Sequence, residues 1–147
     1  MPSTQALAWL VTLCSCWALV GLIWTIQLNH YPAFRHVPPE GFGLFHGEHT
    51  RSITLVVMPL MLVELGTAAY LWLAAPSDWR TIVSLGLVVA VWAATFFVSV
   101  PYHSQLGVSK ADVAVEGLIL TNWWRTALWT VRGGLVAWVV WGMLPRG

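Results

Sequence analysis

A chain of 147 residues with 58% apolar content, 9% charged content and a mean hydropathy of +0.71 is no ordinary soluble domain. A net charge of +1 excludes the basic face that nucleic acid requires, and there is no basic cluster of the kind that reads anionic lipid headgroups. The composition predicts an all-α, integral membrane four-helix bundle, a single transmembrane domain over residues 1–147 with the lipid bilayer as its surroundings.

Helix 1 is predicted over residues 6–28. Its apolar stretch exceeds that of a secretory signal, no basic residue precedes it, and Gln27-Leu28-Asn29-His30-Tyr31-Pro32 lacks a small-residue cleavage pattern, so it is expected to remain in the mature chain. Cys14 and Cys16 stand two apart on it, and their side chains diverge too far to bridge each other. The connection over 29–43 holds Tyr31-Pro32 and Val37-Pro38-Pro39-Glu40-Gly41, turn formers that argue for a surface loop. Helix 2 follows over 43–75. Its apolar part starts at Ile53, so His46, Glu48, His49 and Arg51 should project above the bilayer core.

A short connection, Ala75-Pro76-Ser77-Asp78-Trp79-Arg80, offers Ser77 or Asp78 as the cap of helix 3, predicted over 80–101. Helix 4, over 111–144, carries Glu116, Asn122 and Arg125 before its apolar run over 127–144. The halves are faintly alike. Arg51-Ser52-Ile53-Thr54 enters helix 2 as Arg125-Thr126-Ala127-Leu128 enters helix 4, and a proline beside a tyrosine leaves helices 1 and 3. Two similar helical hairpins would account for this, as would shared membrane composition.

Four crossings place both termini on one face and all the histidines, His30, His36, His46, His49 and His103, on the other. The histidine side also carries Arg35, Arg51, Lys110 and Arg125, against Arg80 and Arg146 opposite, which orients the histidine face towards the cytoplasm of a bacterial inner membrane.

Imidazole is a preferred ligand of iron, copper and zinc. His46 and His49 are three apart on a helix and share a face, with His30 and His103 as further ligands across the bundle mouth. A transition metal, iron or copper, is the cofactor this set suggests, with haem or quinone as the alternative. Interfacial histidines bonded to headgroups or carbonyls would look the same in sequence.

Glu64 stands five helical turns below His46 on nearly the same stripe, about 16 Å into the apolar part of helix 2. A charge at that depth costs at least ~2.5–3.5 kcal/mol, so it needs a partner, and Arg132 of helix 4 is the obvious one. The pair reads equally as a structural lock or as proton-carrying, substrate-anchoring machinery together with Asn122 and Arg125. Of the 11 tryptophans, most belong to interfacial belts. Trp17, Trp92 and Trp129 fall deeper. They could wall a pocket for a flat lipophilic molecule, with Trp123 and Trp129 as the cofactor-binding candidates, although such residues more often pack helices or face lipid. Gly133-Gly134 suits close packing against another helix, within the chain or in a homo-oligomer.

Four helices, a long first connection, a His/Glu-bearing start to helix 2, and Asn122-Trp123-Trp124-Arg125-Thr126 opening helix 4 resemble the anthrone-oxygenase-like superfamily of small membrane proteins. The likeness covers most of the chain by topology, through few matching residues. It implies oxidation of flat phenolic molecules with dioxygen, and a polar helix 4 site that includes Asn122 and Arg125. Three functions therefore compete: a metal-dependent membrane oxidoreductase or oxygenase acting on a lipophilic small molecule, a haem- or quinone-binding electron-transfer subunit, and a non-catalytic accessory subunit of a larger membrane complex. Histidines at one face only count against a transmembrane electron wire.

Overall fold

The outside of this molecule is apolar and much of its inside is polar. In the computed structural model, which describes residues 2–144, Leu55, Leu73, Phe97, Leu120 and Trp141 are all at least 70% exposed, whereas Thr12, Gln27, Glu64, Asn122, Arg125 and Arg132 are buried. Hydrocarbon tolerates that distribution and water does not, because lipid solvates apolar side chains while polar groups must find partners inside. Three helical rods, Ser3–His36, Pro39–Ala74 and Trp79–Val108, are long and apolar enough to cross a membrane, which supports an integral membrane location.

The bundle is all-α and built from helix 1 (Ser3–Thr25), helix 2 (Pro39–Ala74), helix 3 (Trp79–Ala94) and helix 4 (Asp112–Trp141). Helix 4, which the sequence placed among four apolar crossings, is not one of these three rods. Its Asn122, Arg125 and Arg132 lower its hydropathy, yet all three are buried. Its outer face is Leu120, Trp124, Val131, Trp138 and Trp141. Helix 1 packs against helices 2 and 4, and helix 3 against the same two, so helices 1 and 3 lie across a diagonal.

The first connection departs most from expectation. Helix 1 does not stop at residue 28: it passes through a π turn, Ile26–His30, a turn of α-helix, Tyr31–Ala33, and a 3-10 turn, Phe34–His36. Only Val37 and Pro38 then separate it from helix 2, which begins at Pro39. The prolines permit this for a local reason. Pro39 takes the first helical position, where its missing N–H is not needed. Pro32 follows two residues after the π turn, and the wider turn relieves the clash between a proline ring and the carbonyl four residues before it. Helix 3 repeats the device: the π turn Thr95–Ser99 ends two residues before Pro101, and the rod continues as Val100–Val108. Asp78 caps helix 3, accepting from Arg80 N–H at 2.9 Å.

The core has three layers. Ile26, Tyr31, Phe34, Phe42, Leu106 and Leu118 pack at the histidine end, Leu19, Ile23, Met61, Val91 and Trp129 in the middle, and Trp9, Leu71, Val136 and Val139 at the far end. At the histidine rim, Arg35 makes a two-pronged ion pair with Glu116 at 2.6 Å, holding that carboxyl below its ordinary range. Lys110 Nζ donates to the carbonyls of Arg35 and Val37, at 3.0 and 2.7 Å. These contacts tie the helix 1 extension to the start of helix 4. A cavity of about 720 Å³ opens at the opposite end, lined by Trp9, Leu71, Asp78, Arg80, Trp138 and Trp141.

Two glycines set close approaches. Gly133 faces Val20 and Trp17 of helix 1, whereas Gly134 points into open space, so the pair serves packing within the chain at one position only. A Cβ on Gly117 would fall 2.4 Å from the Tyr102 ring. Tyr102 neighbours His103, so this contact seats the helix 3 extension on helix 4. Gly117→Ala is expected to lower stability by about 1–3 kcal/mol through overpacking, while Gly134→Ala is neutral or stabilising. Thermal unfolding in detergent compares them, and equal behaviour would remove the steric argument.

Candidate functional site

Four of the five histidines meet at one end of the bundle. His30 comes from the π turn after helix 1, His46 and His49 from one face of helix 2, and His103 from the helix 3 extension. His30 Nε2 lies 2.6 Å from His49 Nδ1, and His46 Nε2 lies 3.0 Å from His103 Nδ1. The pairs adjoin, with the His49 and His103 ring centroids 5.8 Å apart. Phe34, fully buried, stands edge-on to His30, His46 and His49, and Phe42 stacks on His46. His36 is exposed and takes no part.

Tyr31 extends the cluster inward. Its hydroxyl is 3.0 Å from His103 Nε2. A neutral imidazole has one N–H, so if the Tyr31 O–H donates to Nε2, the Nδ1–H of His103 is left to donate to His46 Nε2. The three side chains then form one directed chain. His49 Nε2, in contrast, is buried with no partner.

Beneath the histidines lies a second polar tier on helix 4. Asn122 Nδ2 donates to Gln27 Oε1 at 2.9 Å, and Gln27 Nε2 donates to the Ile119 carbonyl at 3.1 Å. Arg125 Nη1 donates to Asn122 Oδ1 at 3.2 Å and to Ser99 Oγ at 3.4 Å. Ser99 ends the second π turn as His30 ends the first, so both irregular turns deliver a side chain to this region. The Arg125 guanidinium sits over the Trp129 ring, 5.1 Å from its centroid.

A third tier follows. Trp129 Nε1 donates to Glu64 Oε2 at 2.9 Å, and the other carboxylate oxygen of Glu64 is paired with Arg132. Arg132 Nε donates to the Ser84 carbonyl at 3.4 Å. Asn122, Arg125, Trp129 and Arg132 thus occupy one helical stripe, three or four residues apart.

The candidates therefore divide. His30, His46, His49 and His103 come together, with Asn122 and Arg125 below them. Glu64 and Arg132 form the ion pair that their depth implied, but the carboxylate is committed to Trp129 and Arg132, a tier away from the imidazoles. Trp129 is interior; Trp123 is 43% exposed and lies edge-on to Trp24 on the outer face, so it does not wall the same space. Trp17 is half exposed as well. Gln27, Tyr31 and Ser99 were absent from the sequence-based site. Gln27 and Tyr31 stood in what read as a helix end and a loop, and their only signal was polarity, with Tyr31 beside Pro32.

Among the described residues, no three His, Cys, Asp or Glu side chains stand so that they could hold one metal ion, and the imidazole nitrogens meet one another in pairs. Compared with known proteins, the chain matches no family model, no curated protein and no solved structure.

The Glu64–Arg132 pair is dry at both ends, with side chains 2% and 0% exposed. Replacing either with glutamine should cost about 3–5 kcal/mol, because the partner is left as a buried lone charge. The double replacement should cost less than the two singles added. Denaturation in mixed micelles measures the cycle, and simple additivity would mean that the charges do not act on each other.

Proposed function

We propose that this chain is a membrane metalloprotein that binds iron or copper at its histidine end and oxidises a lipophilic small molecule drawn from that leaflet. The observation that carries the reading is the meeting of four imidazoles, from three separate helical segments, in two adjoining pairs at one end of the bundle. Helices carry stray interfacial histidines often, but bringing three segments together requires two π turns and a seated helix 3 extension. The orphaned His49 Nε2 supports a missing partner at the same place.

Iron or copper held by imidazole supplies one-electron chemistry and a docking point for dioxygen. The chain's own residues would do the rest. Tyr31 orients His103 through its hydroxyl, Phe34 and Phe42 fix the ring planes and exclude water, and Asn122 and Arg125 present donors to a bound molecule from below. The imidazole pairs, 2.6 and 3.0 Å apart, would leave no space for a porphyrin between them, which favours a bare ion over haem. The resemblance to the anthrone-oxygenase-like superfamily supports an oxidative role, since Asn122 and Arg125 of the matching stretch are the helix 4 residues beneath the histidines. In this reading the histidine end faces the cytoplasm, as the excess of basic residues on that side suggests; Arg146, one of the two counted opposite, lies outside the described residues.

A second reading, an accessory subunit without chemistry, draws on the same hydrogen bonds, which satisfy most of the imidazoles with no ion at all. Elemental analysis separates the two. Protein purified without chelators and reconstituted with iron or copper is expected to hold about one ion per chain. The double variant His46→Ala/His49→Ala should lose it while its helical circular dichroism persists. Retention of the ion by that variant, or failure of the wild type to bind either metal, would refute the metal reading.

A further inference from the structure

Arg125 is a buried cation with no counter-charge. It is 6% exposed, its Nε finds no acceptor, and its Nη1 donates only to the neutral oxygens of Ser99 and Asn122. The chain has six acidic residues. Glu64 is held by Arg132, Asp78 by Arg80 and Glu116 by Arg35. Glu40, Glu48 and Asp112 are exposed. None of the six meets Arg125 among the described residues.

A guanidinium cannot shed its proton to escape this cost. Burying it in a membrane bundle without an anion is unfavourable, and natural bundles place such groups where a partner or ligand comes. The contrast with Arg132 is internal to the molecule. Two arginines lie seven residues apart on one face of helix 4; the deeper has a carboxylate and the shallower has none. The shallower one is also the one beside the histidines, with the Tyr31 hydroxyl and the Trp129 ring bounding its guanidinium.

We infer that Arg125 is the binding group for an anionic oxygen of the substrate, and that the substrate is a lipophilic carboxylate. The charged oxygen pairs with the free Nε edge of the guanidinium. The apolar body lies against the aromatic surroundings of Trp129, and the histidines stand above it. Access requires a neighbouring segment to move. The helix 3 extension is joined through the π turn Thr95–Ser99, where the backbone hydrogen bonds widen from the α pattern beside Arg125. The inference rests on the reading of the histidine end as a reaction site, but it concerns binding and does not need the metal.

The test uses the full chain in detergent, with naphthoate as the anionic probe and naphthamide as its neutral counterpart of equal shape. Binding is read by quenching of tryptophan fluorescence and by the shift in thermal midpoint, with inorganic phosphate at equal ionic strength as the control for general screening. Wild type is expected to prefer naphthoate by about 10–100-fold, since a charge-assisted hydrogen bond in a dry site is lost with the amide. Arg125→Gln should erase that preference, while exposed Arg35→Gln keeps it. Without ligand, Arg125→Gln should match or exceed the wild-type thermal midpoint, whereas Arg132→Gln should fall below it. Should Arg125→Gln fail to insert, Arg125→Lys retains the charge without the planar fork and should bind naphthoate more weakly while still preferring it to the amide.

Equal binding of the two probes by wild type, or naphthoate binding unchanged in Arg125→Gln, would overturn the inference. Metal content measured on the same preparations separates the two proposals. An anion preference in protein that takes up no iron or copper overturns the redox reading alone, and metal binding without anion preference overturns this one alone.

Discussion

The ion pair between Glu64 and Arg132 is the contact on which the rest of the bundle depends. Both groups lie inside an apolar envelope with no water to fall back on, so each needs the other. Meeting this need sets helix 2 against helix 4 in one register and one rotation. Trp129, three residues before Arg132, is drawn in through its bond to the same carboxylate. Arg125 and Asn122 continue the stripe upward, and Asn122 in turn captures Gln27 of helix 1. One buried pair thereby orders a polar seam that runs from mid-bundle to the histidines. Such a pair contributes less to net stability than to the choice among alternative helix rotations, because its attraction is largely offset by desolvation.

The two π turns act at the other end of that seam. An α-helix ending at residue 28 would have left His30 and Tyr31 on a surface loop, free to point into water. The π turn before Pro32 keeps the chain helical and winds it more widely, which brings His30 to His49 and the Tyr31 hydroxyl to His103. The matching turn before Pro101 places Ser99 against Arg125 and carries His103 across the bundle mouth. Irregular turns of this kind are costly in isolation and are found where they position functional groups. Their recurrence at the exits of helices 1 and 3, each two residues before a proline, gives the site its near-symmetric supply of side chains.

Energetically the site is unfinished in two places. His49 Nε2 and the Arg125 Nε are both buried without partners, one in each of the two upper tiers. Lower down, Arg132 and Ser84 also keep an unpartnered atom, but there the main charge is already neutralised by Glu64. The unbalanced charge and the unbalanced imidazole thus both lie at the histidine end, His49 edge-on to Phe34 and Arg125 over Trp129. The far end, which holds a cavity of about 720 Å³, has Arg80 and Asp78 paired with each other.

Much of this was legible in the residues themselves. Apolar runs of membrane-crossing length settle the helical class, because in hydrocarbon the backbone must bond within its own segment. The depth of Glu64 and Arg132 demanded a partnership, and the even number of helices put the histidines on one face. What the sequence left open depends on contacts between segments distant along the chain. Prolines at 32, 38 and 39 read as a loop, since nothing local shows that a π turn and a first-position proline would absorb them. Helix 4 read as a fourth apolar crossing from its run over 127–144, but its charged residues keep it from matching the other three in apolarity; the tertiary structure hides Arg125 and Arg132 inside and leaves the lipid a face of Leu120, Trp124 and Trp138. That Trp129 faces inward and Trp123 outward is a matter of helix rotation, decided by Glu64 at the far side of the bundle. The tertiary structure alone also decided that Arg125 would have no anion while Arg132 has one, for that difference lies in which side chain stands opposite.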